Sequence, residues 1–279
     1  MMQPLINIIK NFLDASLKED LGINGDITSE IVINKDKKIK FQIQARESLI
    51  LCGDFIAIYY LQNYSQINFE MRCKDGDAVP EGGVILTGEG YAHEIFRLER
   101  IMLNFMQYLS GVATVTNKYV TAIKGTNAKI YDTRKTLPMW RMLQKYAIRC
   151  GKGYNHRPTL DSCIMIKDNH IAAAGGITNA VMRAKKEAPH YAKIEVECDT
   201  LEQVKEVLTL GVDIIMLDNM NLAQIKEAIA LINGKAIIEA SGGISLENIR
   251  EIAEAGVNVI SVGKLTHSAS SVDIGLDIL

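Results

Sequence analysis

Apolar positions in the first hundred residues change their spacing several times. They recur at helical intervals in 5–17, which predicts an amphipathic helix at the start of the chain. They alternate with polar residues in 39–45, which is the spacing of a half-buried strand. Turn residues surround a short apolar run in 76–90, a hairpin-like pattern, and a second helical stripe in 95–109 is predicted to end at Gly111. The first part of the chain therefore predicts an α+β unit.

After about residue 125, short apolar runs alternate with helical segments. Six runs predict strands, at 128–132, 163–167, 193–197, 213–217, 236–240 and 258–262. Regular repetition of strand and helix favours a parallel sheet that is closed, or nearly closed, as a barrel. Because a complete barrel has eight strands, we predict an incomplete α/β barrel or one with a strand missed. A doubly wound open sheet stays possible, although no G-x-G-x-x-G follows a strand.

Composition and charge exclude several classes of protein. The chain has 279 residues, of which 48% are hydrophobic and 23% charged, so it is neither disordered nor collagen-like. Its net charge of −2 gives no attraction to nucleic acid or to a membrane surface, and neither partner is expected. Lys10, Asp14 and Lys18 interrupt the N-terminal apolar run, which argues against a signal peptide or a membrane span.

Cysteine usage indicates a reducing compartment. The five cysteines are an odd number and include no C-x-x-C pair. This argues against a disulfide framework and against a zinc site. The expected location is the cytoplasm.

Polar and charged residues follow all six predicted strands. In α/β barrels the chemistry lies at the carboxyl ends of the strands. One charge at such a position is usually a solvated loop residue, but polarity at six ends indicates a site at one edge of the sheet. In strand order the residues are Asp132 to Lys135, Lys167 to His170, Glu195 and Glu197, Asp218 and Asn219, Glu239 and Ser241 to Gly243, and Gly263, Lys264 and His267.

Basic residues are concentrated between 132 and 167. Eight basic and two acidic residues give this segment a local charge of +6, which favours anionic ligands. Arg141, Lys145 and Arg149 share one helix face and are as easily explained as a solvated face. The better candidates lie at strand ends or in loops: Arg134, Lys135, Arg157 and Lys167.

Acidic residues and glycines complete this edge. Glu197 and Asp218 end neighbouring strands, an arrangement suited to a hydrated Mg²⁺ ion. Ser241, Gly242 and Gly243 lead toward a predicted helix, and glycine backbone N–H groups near a helix start favour phosphate. The combination indicates an anionic substrate that carries phosphate and a metal ion.

Seven blocks in this order resemble the quinolinate phosphoribosyltransferase family. They are YDTRKTLP (131–138), KYAIRCGKGYNHR (145–157), IKDNHI (166–171), IEVE (194–197), IMLDNM (215–220), EASGGIS (239–245) and ISVGKLTHS (260–268). The N-terminal half agrees, with LKEDLGINGDIT (17–28) and ERIMLNFMQYLSGVAT (99–114).

The resemblance implies two domains and a shared active site. An N-terminal α/β sandwich domain at 1–112, joined by the C-terminal tail at about 268–279, would accompany a catalytic barrel at 113–267. The family's enzymes imply a homodimer or a higher homo-oligomer. The implied reaction joins quinolinate to 5-phosphoribosyl-1-pyrophosphate (PRPP), and it gives nicotinate mononucleotide, pyrophosphate and CO₂ in de novo NAD biosynthesis.

The resemblance also assigns roles to residues. The two carboxylates of quinolinate would meet Arg134, His156, Arg157 and Lys167, with Arg100 contributed by the partner subunit. PRPP would meet Lys135, Lys167, Glu197, Asp218, Ser241, Gly242, Gly243, Gly263 and His267, and Thr133 joins the substrate-binding set. Glu197 and Asp218 would hold Mg²⁺. The implied catalytic residues are Lys135, Lys167, Glu197 and Asp218.

Two short segments depart from the family pattern. Lys152 stands where the family usually has the middle of three glycines, and 137–140 reads LPMW where members commonly have Thr-Pro-Gly. Neither departure removes an assigned residue. Homologues associated with molybdenum transport share much of the pattern, which keeps the substrate class open.

Two other functions fit parts of the sequence. A Schiff-base lyase or aldolase would use Lys135 or Lys167 as its nucleophile, and an apolar pocket around the amine would favour it. A phosphosugar-binding or regulatory homologue would keep the fold and lose turnover.

Overall fold

The computed structural model describes residues 3–279. Its helices are α1 Gln3–Leu21, α2 Ile27–Val32, α3 Asp54–Tyr64, α4 Ala92–Ala122, α5 Arg141–Cys150, α6 Asp168–Ala174, α7 Ile177–Glu187, α8 Leu201–Leu210, α9 Leu222–Ile232, α10 Ile249–Ala255 and α11 Lys264–His267. Its strands are β1 Lys38–Ala45, β2 Leu49–Ile50, β3 Asn68–Met71, β4 Ala78–Val79, β5 Val84–Tyr91, β6 Lys129–Tyr131, β7 Ile164–Ile166, β8 Ile194–Cys198, β9 Ile214–Asp218, β10 Ile237–Ser241, β11 Val259–Ser261 and β12 Ile274–Ile278.

The chain divides into two compact units. The first contains the described residues up to Val115, together with Met142–Lys152 and Ala269–Leu279. The second contains Thr116–Arg141 and Gly153–Ser268. The sequence had placed 142–152 in the barrel domain, whereas this segment packs within the first unit. Among the described residues, no helix is long and apolar enough to cross a membrane.

The first unit is built on an antiparallel sheet in the order β12-β1-β5-β3. The alternating burial of β1 matches the predicted period, because Phe41, Ile43 and Ala45 are fully buried. The last strand returns to this sheet, with Ile278 opposite Phe41 and Ile274 opposite Ala45. The predicted hairpin in 76–90 is wrong, since β4 pairs with β2 while β5 pairs with β1 and β3.

Gly111 does not end a helix, as the sequence had predicted, but lies inside α4. A Cβ atom at this position would overlap the carbonyl oxygen of Ser270 in the returning tail. The glycine is therefore explained by the close approach of two backbone segments.

Replacement of Gly111 by Ala is expected to destabilise the protein. Alanine inside a helix normally gains about 1 kcal/mol over glycine, but here the methyl group must displace backbone of the tail. Overpacking of this kind costs about 1–3 kcal/mol. The free energy of unfolding in urea should fall, and an increase would show that the close approach imposes no constraint.

The second unit contains six parallel strands in the order β6-β11-β10-β9-β8-β7. Each strand from β7 to β11 lies beside its successor, and the first strand, β6, lies beside the last. This order runs around a ring and leaves a gap between β6 and β7, whereas a doubly wound sheet reverses direction. The predicted incomplete barrel is confirmed. At the gap, Tyr154 forms an isolated parallel bridge with Tyr131.

Capping residues mark the ends of two helices in this unit. The Thr200 side chain caps α8, and Gly211 and Gly256 end α8 and α10 in the left-handed conformation. Helix α10 begins at Ile249, after a turn in which the side chain of Asn248 accepts the N–H of Ser245.

Candidate functional site

A cavity of about 330 Å³ lies at the carboxyl ends of the parallel strands of the second unit. Nine predicted site residues line it: Thr133, Arg134, Lys135, His156, Arg157, Lys167, Glu197, Asp218 and Ser241. The other lining residues are Met165, Met216, Glu239 and Ser261. Parallel strands bring their carboxyl ends to one edge, which is why residues far apart in sequence meet here.

Two arginines occupy the basic side of the cavity. Arg157 donates through one guanidinium nitrogen to the Cys163 carbonyl oxygen at 2.9 Å, which fixes the direction of its side chain. Burial, followed by the positive charge of Arg134, lowers the pKa of Arg157. The buried Nε of Arg134 has no hydrogen-bond partner. Two neighbouring cations with an unused donor require an anion, and guanidinium groups bind carboxylates in a forked geometry.

The loop that carries His156 is held by a buried carboxylate. Asp132, at the end of β6, is fully buried. It accepts the backbone N–H of His156 at 2.8 Å and the side-chain amide of Asn155 at 2.7 Å. Asp132 is therefore a support for the loop and does not line the cavity.

His156 lies between two buried glutamates that point inward from β8 and β10. Its Nε2 is 3.3 Å from Glu195 and 3.4 Å from Glu239. Burial alone would lower the pKa of His156, but the hydrogen bonds and charges of both glutamates outweigh it and raise the pKa to about 10. Burial also raises the pKa of Glu195, and Glu239 adds to the effect.

The ring orientation of His156 limits where its protons are. The backbone N–H of Arg157 donates to Nδ1 at 2.7 Å, which requires Nδ1 to be unprotonated in this geometry. A proton on Nε2 then faces the two carboxylates. The raised pKa values of His156 and Glu195 both favour a proton retained between these two side chains. This proton lowers the negative charge next to the cavity, which Glu239 also lines, and so favours an anionic ligand there.

Two carboxylates, those of Glu197 and Asp218, also line the cavity. Oxygens of Glu197, Asp199 and Asp218 lie within 4.8 Å of one another. Lys167 forms an ion pair with Glu197, and Asn219 donates to Asp218 at 2.6 Å. Oxygen ligands of this type suit Mg²⁺, which is usually bound by one or two carboxylates plus waters and substrate phosphates.

Sequence reasoning missed three acidic residues of this region. Asp199 directly follows β8, which ends at Cys198, whereas the predicted strand ended at residue 197. Glu195 and Glu239 had been noted at strand ends and given no role. Their signal was a carboxylate flanked on both sides by apolar residues of the same strand, a position that requires a partner when it is buried.

The predicted glycines shape the loops around the cavity. Gly242 has a φ of 80°, and a Cβ there would overlap the side chain of Asn219. A Cβ on Gly263 would lie 3.1 Å from Lys135 and 3.2 Å from His267. Gly243 has a φ of 62° and open space around it. Gly242 and Gly263 therefore let neighbouring side chains approach the backbone closely. The sequence had predicted that a helix start near these glycines would favour phosphate. Because α10 begins only at Ile249, its N-terminus does not directly follow the glycines.

Thr266, in the short helix α11, connects this helix to the loop that carries Lys135. Its hydroxyl donates to the carbonyl oxygen of Lys135 at 2.7 Å. His267 lies next along the chain and is exposed, with Nδ1 2.6 Å from the Ser268 hydroxyl. The loop that carries Lys135 and the helix α11, which ends at His267, are thus held together, and both side chains are exposed.

The surroundings of the two lysines do not match a Schiff-base nucleophile. Lys135 is exposed. Lys167 is half-buried and ion-paired with Glu197. An amine of that type is activated by an apolar pocket or by neighbouring cations, whereas these lysines have solvent and a carboxylate beside them. The geometry favours binding of anions.

Lys152 and the 137–140 segment lie apart from the residues that line the cavity. Lys152 belongs to the first unit and is exposed, with a φ of 70°. Met139 has a φ of 65° and is also exposed. Both positions have the left-handed backbone that glycine adopts most easily, which is consistent with the glycines expected there from the family pattern.

Family models match both parts of the chain. The C-terminal domain of quinolinate phosphoribosyl transferase matches residues 112–277, and its N-terminal domain matches residues 26–110. A probable nicotinate-nucleotide pyrophosphorylase [carboxylating] of Methanocaldococcus jannaschii is 44% identical, with 96% of each chain covered. Its counterpart in Bacillus subtilis is 40% identical, with 97% of this chain and 93% of the relative covered.

Solved structures agree in fold over the whole length. The nicotinate-nucleotide pyrophosphorylase of Ehrlichia chaffeensis superposes with a TM-score of 0.93 at 41% identity, covering 97% of this chain and 98% of that one. The enzyme of the same name from Francisella tularensis gives 0.91 at 37% identity, covering 98% and 96%.

Proposed function

Because the chain belongs to the quinolinate phosphoribosyltransferase family, we propose that it transfers the phosphoribosyl group of PRPP to quinolinate in the cavity described above. The products are nicotinate mononucleotide, pyrophosphate and CO₂, and the reaction belongs to NAD biosynthesis. The observation that carries the proposal is that one cavity is lined both by the cations Arg134, Arg157 and Lys167 and by the carboxylates Glu197 and Asp218. We call these two sets of residues the cationic side and the carboxylate side.

Quinolinate occupies the cationic side. Its two adjacent carboxylates pair with Arg134 and Arg157, and the unused Nε donor of Arg134 supports this assignment. His156 and Lys167 complete the pocket. The proton that the raised pKa values of His156 and Glu195 favour reduces repulsion between the buried glutamates and the bound dianion.

PRPP and Mg²⁺ occupy the carboxylate side. Glu197 and Asp218 would hold the ion, with Asp199 near enough to contribute through water. The ion supplies charge neutralisation for the departing pyrophosphate. The phosphates of PRPP are bound by residues that surround the cavity: Lys135, Ser241, Gly242, Gly243, Gly263 and His267. Lys167 must loosen its ion pair with Glu197 as the substrates enter, since the same carboxylate serves the ion.

The chain acts mainly by positioning and by electrostatics. The arginines orient quinolinate so that its ring nitrogen faces the ribose C1 atom. The C1–pyrophosphate bond breaks as the C1–N bond forms, and Lys135 stabilises the charge that collects on pyrophosphate. Glu197 and Asp218 offset the positive charge that develops on the ribose. The resulting pyridinium ring accepts the electron pair left when the adjacent carboxylate departs as CO₂, so decarboxylation needs no separate cofactor.

The functional protein is a cytoplasmic homodimer or higher homo-oligomer, in which Arg100 of the partner subunit completes the cationic side. Arg100 lies on α4 with 59% of its side chain exposed, so it is available for an intermolecular contact. Ile27, Ile31 and Val32 of the short helix α2 are 58–80% exposed. Several neighbouring exposed apolar residues are typical of a surface covered by another chain.

Subunit complementation tests the shared site. Arg100→Ala and Lys135→Ala proteins should each be nearly inactive, but coexpression should restore about a quarter of the wild-type sites through mixed dimers. Coexpression of Lys135→Ala with Lys167→Ala is the control, and it should restore nothing because both residues belong to one barrel. Equal lack of activity in both mixtures would place Arg100 in its own subunit's site.

The reaction is tested with pure protein, quinolinate, PRPP and Mg²⁺. Nicotinate mononucleotide measured by mass spectrometry should appear together with labelled CO₂ from the 2-carboxylate. Nicotinate in place of quinolinate should give no product, and neither should omission of Mg²⁺. Folded, oligomeric protein that makes no product from quinolinate would overturn the proposal and favour another nitrogen heterocycle or a binding homologue.

A further inference from the structure

Three potential metal ligands converge in the first unit, and the proposed reaction uses none of them. They are the thiols of Cys52 and Cys150 and the carboxylate of Asp75, whose ligand atoms all lie within 4.8 Å of one another. Cys52 precedes α3, Asp75 lies between β3 and β4, and Cys150 ends α5. Both cysteines are buried, with exposures of 0% and 7%, and Asp75 is half-buried. We propose that these residues form a binding site for a thiophilic divalent cation of the Zn²⁺ type.

Hydrogen bonds from surrounding residues hold the carboxylate of Asp75 in one orientation. Its Oδ1 accepts the backbone N–H groups of Gly53 and Asp54, at 2.7 and 2.9 Å. Its Oδ2 accepts the hydroxyl of Tyr146 at 2.9 Å. Such outer contacts orient the ligands of metal sites and raise their affinity.

The backbone of Cys52 is anchored separately. Its N–H donates to the Ser110 hydroxyl at 2.9 Å, and the same hydroxyl donates to the Cys52 carbonyl oxygen at 3.2 Å. Cys150 is placed by the last turn of α5, the helix that also carries Tyr146. Cys52 and Cys150 are therefore positioned by backbone contacts that a bound cation would leave in place.

The geometry and chemistry fit Zn²⁺ better than Mg²⁺. Tetrahedral Zn²⁺, with bonds of about 2.3 Å to sulfur and 2.0–2.2 Å to oxygen, separates its ligand atoms by about 3.5–3.8 Å. This lies inside the observed limit of 4.8 Å, so small side-chain adjustments suffice. Thiolates select Zn²⁺ and similar ions over hard oxygen-seeking cations. Three protein ligands leave a fourth position for water.

Binding would join segments that are distant in the sequence. Cys52, Asp75 and Cys150 lie in three separate loops or helix ends, so a bound cation stabilises the folded first unit. After Cys150 the chain continues through Gly151, Lys152 and Gly153 toward the loop that carries His156. We therefore expect a bound cation chiefly to change the stability of the folded protein, and enzymatic activity is only a secondary measure of its binding.

The test uses the full chain, stripped with a chelator and kept reduced. Zn²⁺ titrated against a chromophoric competitor should bind in a 1:1 ratio. Co²⁺ should give thiolate-to-metal charge-transfer absorption with the intensity of two thiolates. At a hundredfold excess over Kd, Zn²⁺ should raise the unfolding temperature by about 5 °C.

Variants locate the ligands. Cys52→Ser and Cys150→Ser should each weaken Zn²⁺ binding about 100-fold or more and halve the charge-transfer band. Cys73→Ser, a half-buried cysteine of the same unit outside the cluster, is the matched control and should bind as wild type. Unchanged binding in both cluster variants would overturn the proposal.

Wild-type protein alone also decides the question if the variants do not fold. Absence of the two-thiolate Co²⁺ band, or a Zn²⁺ ratio well below one, would refute the site. Mass spectrometry of the reduced, stripped protein verifies that Cys52 and Cys150 are free thiols. Slower alkylation of these two cysteines in the Zn²⁺-loaded protein, with Cys163 as an internal reference, would support it.

Discussion

Replacement of Arg134 by Ala is expected to lower kcat/KM for quinolinate by about 10²–10³. Arg134 and Arg157 are neighbouring cations in the cavity, and Arg134 carries a buried donor without a partner. Loss of one charged, hydrogen-bonded partner from a desolvated ion pair costs about 2–5 kcal/mol, and each 1.4 kcal/mol is a factor of ten. Most of the loss should appear as a higher KM for quinolinate, with KM for PRPP changed little.

A matched control separates this effect from a general loss of positive charge. Lys264 also follows a barrel strand, but it is exposed and does not line the cavity. Steady-state kinetics of Lys264→Ala should match wild type within about twofold. An Arg134→Ala protein that keeps the wild-type KM for quinolinate would assign the carboxylates of the substrate to other residues.

Replacement of Glu197 by Gln should have the second large effect, on kcat and on the Mg²⁺ requirement. Glu197 is 10% exposed in its side chain, is paired with Lys167, and lies beside Asp218. The amide keeps the size of the side chain but removes the charge that would hold Mg²⁺ and offset the positive ribose. Loss of one such electrostatic group typically lowers kcat by about 10²–10³.

The neighbouring carboxylate Asp199 gives the comparison. It lies within the same group of oxygens but is exposed, so Asp199→Asn should lower kcat less than about tenfold. Rates measured over a range of Mg²⁺ concentrations should show a shifted midpoint in Glu197→Gln only. Equal shifts in both variants would mean that the ion is held by Asp199 as much as by Glu197.

Much of the second unit follows from local sequence. Each predicted barrel strand is found within one residue of its observed bounds, because short apolar runs between amphipathic helices have few other ways to bury their side chains. Family membership was also readable, since it rests on blocks of residues in a fixed order. The first unit was less predictable, and the turn-rich run 76–90 shows why. Turn residues mark where the chain bends, but which strands then pair depends on distant segments.

Glycine at position 111 illustrates the same limit at one residue. A glycine after a helical stripe is usually a stop signal, and the sequence shows nothing of the tail that approaches α4 at Ser270. The structure supplies a steric reason for the glycine, and the helix continues for eleven further residues to Ala122.

The sequence by itself determined the six barrel strands, the family, and nine of the residues that meet in the cavity. The strands are set by periodicity, and the family by blocks of residues in a fixed order. The residues at the strand ends meet because parallel strands bring their carboxyl ends to one edge. The tertiary structure decided the rest: the two buried glutamates beside His156, the third carboxylate at Asp199, and the meeting of Cys52, Asp75 and Cys150. Cysteine spacing argued against a zinc site because ligands in local motifs lie close in sequence. Contacts between distant segments arise only when the whole chain packs, so local spacing carries no signal for them.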